Sequence, residues 1–264
     1  MRRGREIVMD LSIAAAMLAI AVAGLSHYYS STRTRRIERF DIRIEGGDTL
    51  GFVTAGKVRG LIVDTLGWVS TVGGTDVRRI EKYLDSIVYV LDSEVYKDEG
   101  GTLHIEIAPR RPRVRIVTYG GESFYMDDYG TVMPRCADFV ADVPLVTMSD
   151  SALSEYMPHV AGDKIIAKNY NFTDNLINFA VKVETDPFWS DFIAQINLNG
   201  AAEVELIPRI GSHKVILCDV ADLGSADIFL GKLYKLYFGQ LRQTGWNRYS
   251  VINLKYNKMA VCSK

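Results

Sequence analysis

Asp127-Asp128 sets two carboxylates side by side, the one spacing in this chain that could supply a general acid and a general base together. The tetrad Asp127-Asp128-Tyr129-Gly130 is also a hairpin turn by composition. The turn is the better account, because Asp favours turn positions and Gly tolerates φ > 0. Four histidines, His27, His104, His159 and His213, are scattered along the sequence. None has a second His, Cys or carboxylate at a ligand spacing such as H-x3-H or C-x2-C, so no metal centre is expected. Cys136, Cys218 and Cys262 are an odd and sparse set, read as small apolar residues on strands rather than as a disulfide framework. No G-x-S-x-G, S-x-x-K, P-loop or G-x-G-x-x-G occurs. The doubled glycines at 46–47, 73–74, 100–101 and 120–121 each separate periodic segments and so mark turns. Trp189 and Trp246 stand beside helix ends and read as core. With 31 basic and 32 acidic residues the net charge is −1, which argues against a nucleic-acid binder working by bulk positive charge. No catalytic, cofactor-binding or metal-binding residue is expected, and the surface that matters is one that binds protein.

The first segment decides where that surface lies. Arg2, Arg3 and Arg5 precede Ile7–Leu25, whose only charge is Asp10. As a helix this stretch is about 28 Å long, close to the hydrocarbon thickness of a bilayer. The spacing suits an uncleaved anchor over 7–27 behind a short tail, 1–6. A cleaved signal peptide competes, because Ala21-Val22-Ala23 has the A-x-A form. Either way the rest of the chain is exported if the source is bacterial. The arginines on both sides of the segment leave its orientation open.

Two further domains follow from 264 residues at roughly 150 per domain. All seven prolines occur from Pro109 onward, and Pro109-Arg-Arg-Pro112 reads as a joint. Before it, Ile37–Glu45 alternates as a strand. Thr54 can cap a helix carrying Val58, Leu61, Ile62, Thr65 and Leu66, and Thr75 a second carrying Ile80 and Leu84. Strands at Val90–Lys97 and Leu103–Ile107 flank Gly100-Gly101. The order is β-α-α-β-β over 37–109, a small sheet with two helices on one face.

After the joint, over 110–264, strands dominate: Val114–Tyr119, Ser123–Met126, Thr131–Met133 and a short one ending near Thr147. Thr173 can cap a helix to Glu184 that Asp186-Pro187 ends. Phe192–Leu198, Asn199-Gly200 and Ala201–Ile207 form the strongest hairpin, with Asn-Gly fitting a type I′ turn. A strand at Lys214–Cys218, a helix from Ser225 to Gln243 stopped by Gly245, and a strand at Ser250–Tyr256 complete the pattern. The fold class is α+β: one N-terminal transmembrane helix, a β-α-α-β-β module, then a mixed, mostly antiparallel β domain with flanking helices.

Several stretches carry a family resemblance. Gly101–Pro112 looks like the last strand of a POTRA module and the joint after it. Tyr125-Met-Asp-Asp-Tyr-Gly-Thr-Val-Met-Pro134 looks like a "Y-x-D-x-x-G-x-x-x-P" hairpin. Lys232–Tyr256 looks like a closing helix and strand. Together they resemble the bacterial cell-division proteins FtsQ and DivIB over nearly the whole chain. The resemblance implies a non-catalytic, single-pass inner-membrane scaffold of the divisome, N-terminus in the cytoplasm, acting at the septum without a cofactor. It favours the uncleaved anchor. It implies FtsB and FtsL as partners, other division proteins through the POTRA and membrane segments, and a role in recruiting and regulating the septal peptidoglycan synthase. The alternatives are a POTRA-type envelope assembly factor and a secreted binding module.

In this family a segment of FtsB adds to the last strand, which is β-augmentation. The sequence has a feature that fits. Ile252, Leu254 and Tyr256 share one phase, and Met259 and Val261 the other. A strand cannot change phase without a turn or bulge. A two-residue hairpin or a bulge is therefore expected at Asn257-Lys258, making Met259–Ser263 the edge. The partner-binding residues implied are Leu254, Tyr256, Lys258, Met259, Ala260, Val261 and Cys262. Lys255, Lys258 and Lys264 make this edge basic, either to guard it against aggregation or to meet acidic residues of the partner.

Overall fold

The computed structural model describes residues 2–47, 51–137, 139–156, 170–256 and 259–264, with side chains described from residue 14 onward except Thr65 and Tyr170. The chain divides into two compact units, Met1–Pro109 and Arg110–Lys264.

The first unit begins with one long helix, α1 (Arg2–Thr34). Among the described residues no helix is long and apolar enough to cross a membrane. The span expected at 7–27 is helical throughout as part of α1, and residues 7–13 of it have no described side chains. After α1 come β1 (Arg39–Ile44), α2 (Ala55–Arg59) running on into a π-helical turn (Gly60–Thr65), α3 (Val77–Asp85), β2 (Val90–Lys97) and β3 (Thr102–Pro109). The sheet order is β1-β3-β2, with β1 parallel and β2 antiparallel to β3. Leu103, Ile105 and Ile107 alternate inward from β3 and are buried with Val58, Ile62, Ile80 and Leu84 of the helices. Thr54 caps α2 by accepting from the Lys57 amide at 3.3 Å. The cap of α3 is Asp76, not Thr75. Asp76 accepts from the Arg79 amide at 3.2 Å, while the buried Thr75 hydroxyl is engaged by the Ser70 amide at 3.0 Å. Gly101, at φ +82°, is required by crowding, because a Cβ there would lie 2.6 Å from the Arg36 carbonyl oxygen.

The second unit is built on one nine-stranded mixed sheet. Its strands are β4 (Pro112–Thr118), β5 (Ser123–Asp127), β6 (Val132–Pro134), β7 (Leu145–Met148), β8 (Ile193–Leu198), β9 (Glu203–Pro208), β10 (Lys214–Asp219), β11 (Val251–Asn253) and β12 (Val261–Ser263). Its order is β12-β11-β10-β9-β8-β7-β4-β5-β6. The pairs β4–β7, β7–β8 and β10–β11 are parallel and the rest antiparallel. The helices are α4 (Asp150–Tyr156), α5 (Tyr170–Thr185), α6 (Pro187–Phe192), α7 (Ala226–Leu236), which continues as a π-helical turn (Tyr237–Leu241), and α8 (Arg242–Thr244). One sheet face buries Ile116, Val146, Ile196, Leu206, Val215 and Ile252 against Leu176, Ala180, Leu230, Leu233 and Tyr237 of the helices. Each of the Val, Leu and Ile side chains among them contributes about 1.5–3 kcal/mol when fully buried. The alternate residues of β8 and β9, Gln195, Asn197, Glu203 and Glu205, lie on the other face and make polar contacts there.

Several local expectations are corrected. Thr173 lies inside α5, its hydroxyl buried with no partner among the described residues, so it is not a cap. Asp186 ends α5 but also caps α6, accepting from the Phe188 amide at 2.9 Å. That helix follows from Asp-Pro, because proline suits the first helical turn. Ser225 precedes α7 without a capping bond, because a 3-10 turn (Val220–Ser225) leads into the helix. The β8–β9 hairpin forms, but not through a type I′ turn. Gly200 has no positive φ, and Ala202 does, at +58°. Asn199 dictates this, since its Oδ1 accepts from the Ala201 and Glu203 amides at 2.9 and 3.1 Å.

Candidate functional site

The C-terminal hairpin stands on β10. After β10 the chain rises through α7 and α8, stops at Gly245 (φ +91°) and returns as β11, parallel to β10. A parallel neighbour needs such a crossover. β12 then pairs antiparallel with β11, in the register Val251↔Ser263, Ile252↔Cys262 and Asn253↔Val261. β12 is the outermost strand, and among the described residues nothing pairs with its far side.

β11 is shorter than expected. Ile252 and Leu254 are fully buried, but Tyr256 is 52% exposed and off the stripe. The cause is Asn253, whose Oδ1 accepts from the Lys255 amide at 3.0 Å and turns the chain out of the sheet. Seven residues, 254–260, lie between the two strands. Asn257 and Lys258, where the phase break was placed, lie outside the described residues. The edge strand itself is Val261–Ser263, with Met259 and Ala260 in the loop before it.

Around this edge the chemistry is apolar and basic. Met259 is 61% and Val261 44% exposed. A groove of about 280 Å³ runs beside the hairpin, lined by Lys232, Lys235, Leu236, Gln240, Leu254, Met259 and Ala260. The Lys232 ammonium donates to the Tyr256 carbonyl at 3.3 Å and stands 4.8 Å from the Phe229 ring. Sequence reasoning did not single out the helix side of this groove. Its signal was the Lys232, Lys235/Leu236, Gln240 spacing, a second stripe on a helix whose first stripe faces the core. Cys262 is half-buried against the core, and burial pushes its thiol up. Cys218 is fully buried and pushed up to about 12, which leaves it inert.

The residues that could have done chemistry are absorbed elsewhere. Asp127 is buried. Its Oδ1 accepts from the Tyr129 and Thr131 amides at 2.9 and 2.7 Å, and its Oδ2 from Arg110 at 2.7 Å. Asp128 accepts from Arg113 at 2.7 Å. Each carboxylate thus has its own arginine. His104 lies between Asp41 and Asp98, at 3.1 and 3.4 Å, and stacks on Tyr96. His213 is buried against the Tyr237 hydroxyl, and desolvation holds it below its usual value. His159 lies outside the described residues. Trp189 is buried, and Trp246 packs 5.3 Å from the Tyr237 ring. Among the described residues no group of three His, Cys, Asp or Glu could hold a metal.

A mixed sheet backed by helices on one face, closing on a short hairpin with an open outer strand, defines the class: an α+β domain built on one large sheet with an unpaired edge among the described residues. The family model described as FtsQ/DivIB, C-terminal related, matches residues 111–263, almost the whole of this unit. The chain belongs to the FtsQ/DivIB family, whose members are proteins of cell division. No curated protein matches it.

Proposed function

We propose that the chain is a non-enzymatic scaffold of the bacterial division machinery. In this reading residues 1–6 are cytoplasmic, 7–27 anchor it in the inner membrane, and a POTRA module (37–109) and the β domain (110–264) stand in the periplasm at the septum. The apolar run Ile7–Leu25 supports the anchor, and the β-α-α-β-β order with sheet order β1-β3-β2 supports the module. The protein binds FtsB and FtsL and through them helps recruit and regulate the septal peptidoglycan synthase.

The observation that carries this reading is the open outer side of β12. An edge strand offers N–H and C=O groups to another chain, and exposed side chains beside it add specificity. Tyr256 and Met259 would be the anchors, because large side chains next to a pairing edge make typical hot spots. The test is capture of the periplasmic part of FtsB by the purified chain, alongside a fluorescent fusion in dividing cells. Tyr256→Ala is expected to fold normally and lose FtsB, and the fusion to collect at mid-cell. Uniform envelope signal, or Tyr256→Ala capture equal to the parent's, would overturn the reading.

A further inference from the structure

The C-terminal hairpin hangs on little backbone. β11 meets β10 over three register pairs and carries β12 over three more. So short a ladder contributes few bonds, and β12 leans on β11 alone. Two residues just after β11 hold the root of the hairpin. Leu254 is fully buried, its amide donating to the Ile216 carbonyl at 2.9 Å. Lys255 turns to the opposite, polar side of the sheet. Its ammonium lies 2.7 Å from Glu203 Oε1 on β9 and 2.7 Å from Asp219 Oδ1 at the end of β10.

The acceptors are fixed in advance. Glu203 Oε2 accepts from Asn199 Nδ2 at 2.9 Å, and the same amide reaches Glu205 Oε1 at 3.0 Å. Glu205, only 4% exposed, is held in turn by Lys214 and Asn197, each at 2.8 Å. Asn197 Oδ1 accepts from Tyr119 and Thr147 at 2.7 and 2.8 Å. A continuous chain of hydrogen bonds thus crosses the face from β7 to Lys255, two residues past β11. Charge-assisted bonds in such a network are stronger than isolated surface pairs.

We propose that Lys255 is a positioning residue: its clasp on Glu203 and Asp219 fixes the root of the C-terminal hairpin and so sets the edge that a partner strand meets. The ammonium is committed within the chain instead of being offered to an acid of the partner. The binding consequence rests on the strand-capture reading above, whereas the ordering of the hairpin does not.

The test uses the full chain with Lys255→Ala, Lys255→Arg, the pair Glu203→Gln/Asp219→Asn, and all three changes together. Amide exchange at Val261–Ser263 and capture of FtsB are both measured. Lys255→Ala and the carboxylate pair are each expected to speed exchange at Val261–Ser263 about 10-fold, the equivalent of about 1.4 kcal/mol, with exchange in β8 unchanged. Capture weakens in parallel, Lys255→Arg restores both, and the triple variant is no worse than Lys255→Ala, as members of one network should behave. Unchanged exchange at Val261–Ser263 in both Lys255→Ala and the carboxylate pair overturns the proposal. So does loss of capture in Lys255→Ala alone, which would mean that the lysine meets the partner directly. If the parent chain captures no FtsB, the strand-capture reading falls, and exchange at Val261–Ser263 still decides the clasp.

Discussion

Ala202 carries a left-handed backbone, φ +58°, which costs an L-residue roughly 1–2 kcal/mol and glycine nothing. Ala202→Gly is therefore expected to stabilise the second unit by about 0.5–1 kcal/mol, after the loss of unfolded-chain stiffness. Chemical denaturation measures this, and a destabilised variant would sink the account of the turn. Asn-Gly announced this hairpin correctly. It misassigned the left-handed residue because the Asn199 side chain, which binds the Ala201 and Glu203 amides, outweighs the freedom of Gly200. His213 gives a second residue-scale expectation. Desolvation lowers its folded value below the ordinary 6.5, so the unfolded chain binds more protons as pH falls through that range. Stability should fall on acidification from pH 7 to 5, and His213→Gln should flatten that slope in thermal melts. The sequence placed His213 at a strand start and could not show its burial, because Tyr237 arrives from a helix 24 residues away.

Among the elements, the two outer strands of the large sheet differ in a way that bears on docking. β6 is three residues long and ends in Pro134, which has no N–H to offer. β12 contains no proline. Deleting residues 257–264 removes β12 and is expected to abolish FtsB capture while shifting the melting of the remaining unit only slightly. Full capture by the truncated chain would exclude β12 as the edge. The clasp beneath it has a defined pH window. Glu203 is held below its usual 4.5, chiefly by the hydrogen bond from Lys255, so its contribution is present above 4.5 and lost as pH falls through the lowered value. Lys255 is raised above 10.5 by Asp219 and then Glu203, so its contribution is present below 10.5 and lost as pH rises through the raised value. Protection of Val261–Ser263, corrected for intrinsic exchange, should therefore be level from about pH 5 to 10 and drop on either side. Alternation located β11 but overran it. Periodicity records which residues are apolar, and it was a polar side chain, Asn253, that ended the strand. In the same way Thr75 passed for a cap because capping residues are interchangeable on paper, and Asp76 beside it took the position.

At the scale of the whole molecule, the division after Pro109 leaves Arg110 with the second unit, and the structure shows why it belongs there. Its guanidinium pairs with Asp127, whose side chain is 2% exposed. Removing one member of a buried pair strands the other. Arg110→Ala should therefore destabilise the second unit by about 3 kcal/mol in thermal or denaturant unfolding. A fragment of 110–264 should fold and one of 113–264 should be much weaker, a comparison that circular dichroism settles. The fold class and the strand-rich second half were legible because alternation and turn residues repeat along the sequence. The Arg110–Asp127 pair and the Lys255 clasp were not, since each joins residues that only the folded sheet brings together.

The order of the sheet has a consequence for how the protein is made. β12 follows every other strand in the chain, and it rests on β11, which rests on β10 through a helical crossover. A ribosome therefore delivers this outer edge only after the whole platform beneath it has been synthesised. Under the strand capture proposed above, a chain still in translation, or cut short on the way, would lack the edge with which to compete for FtsB.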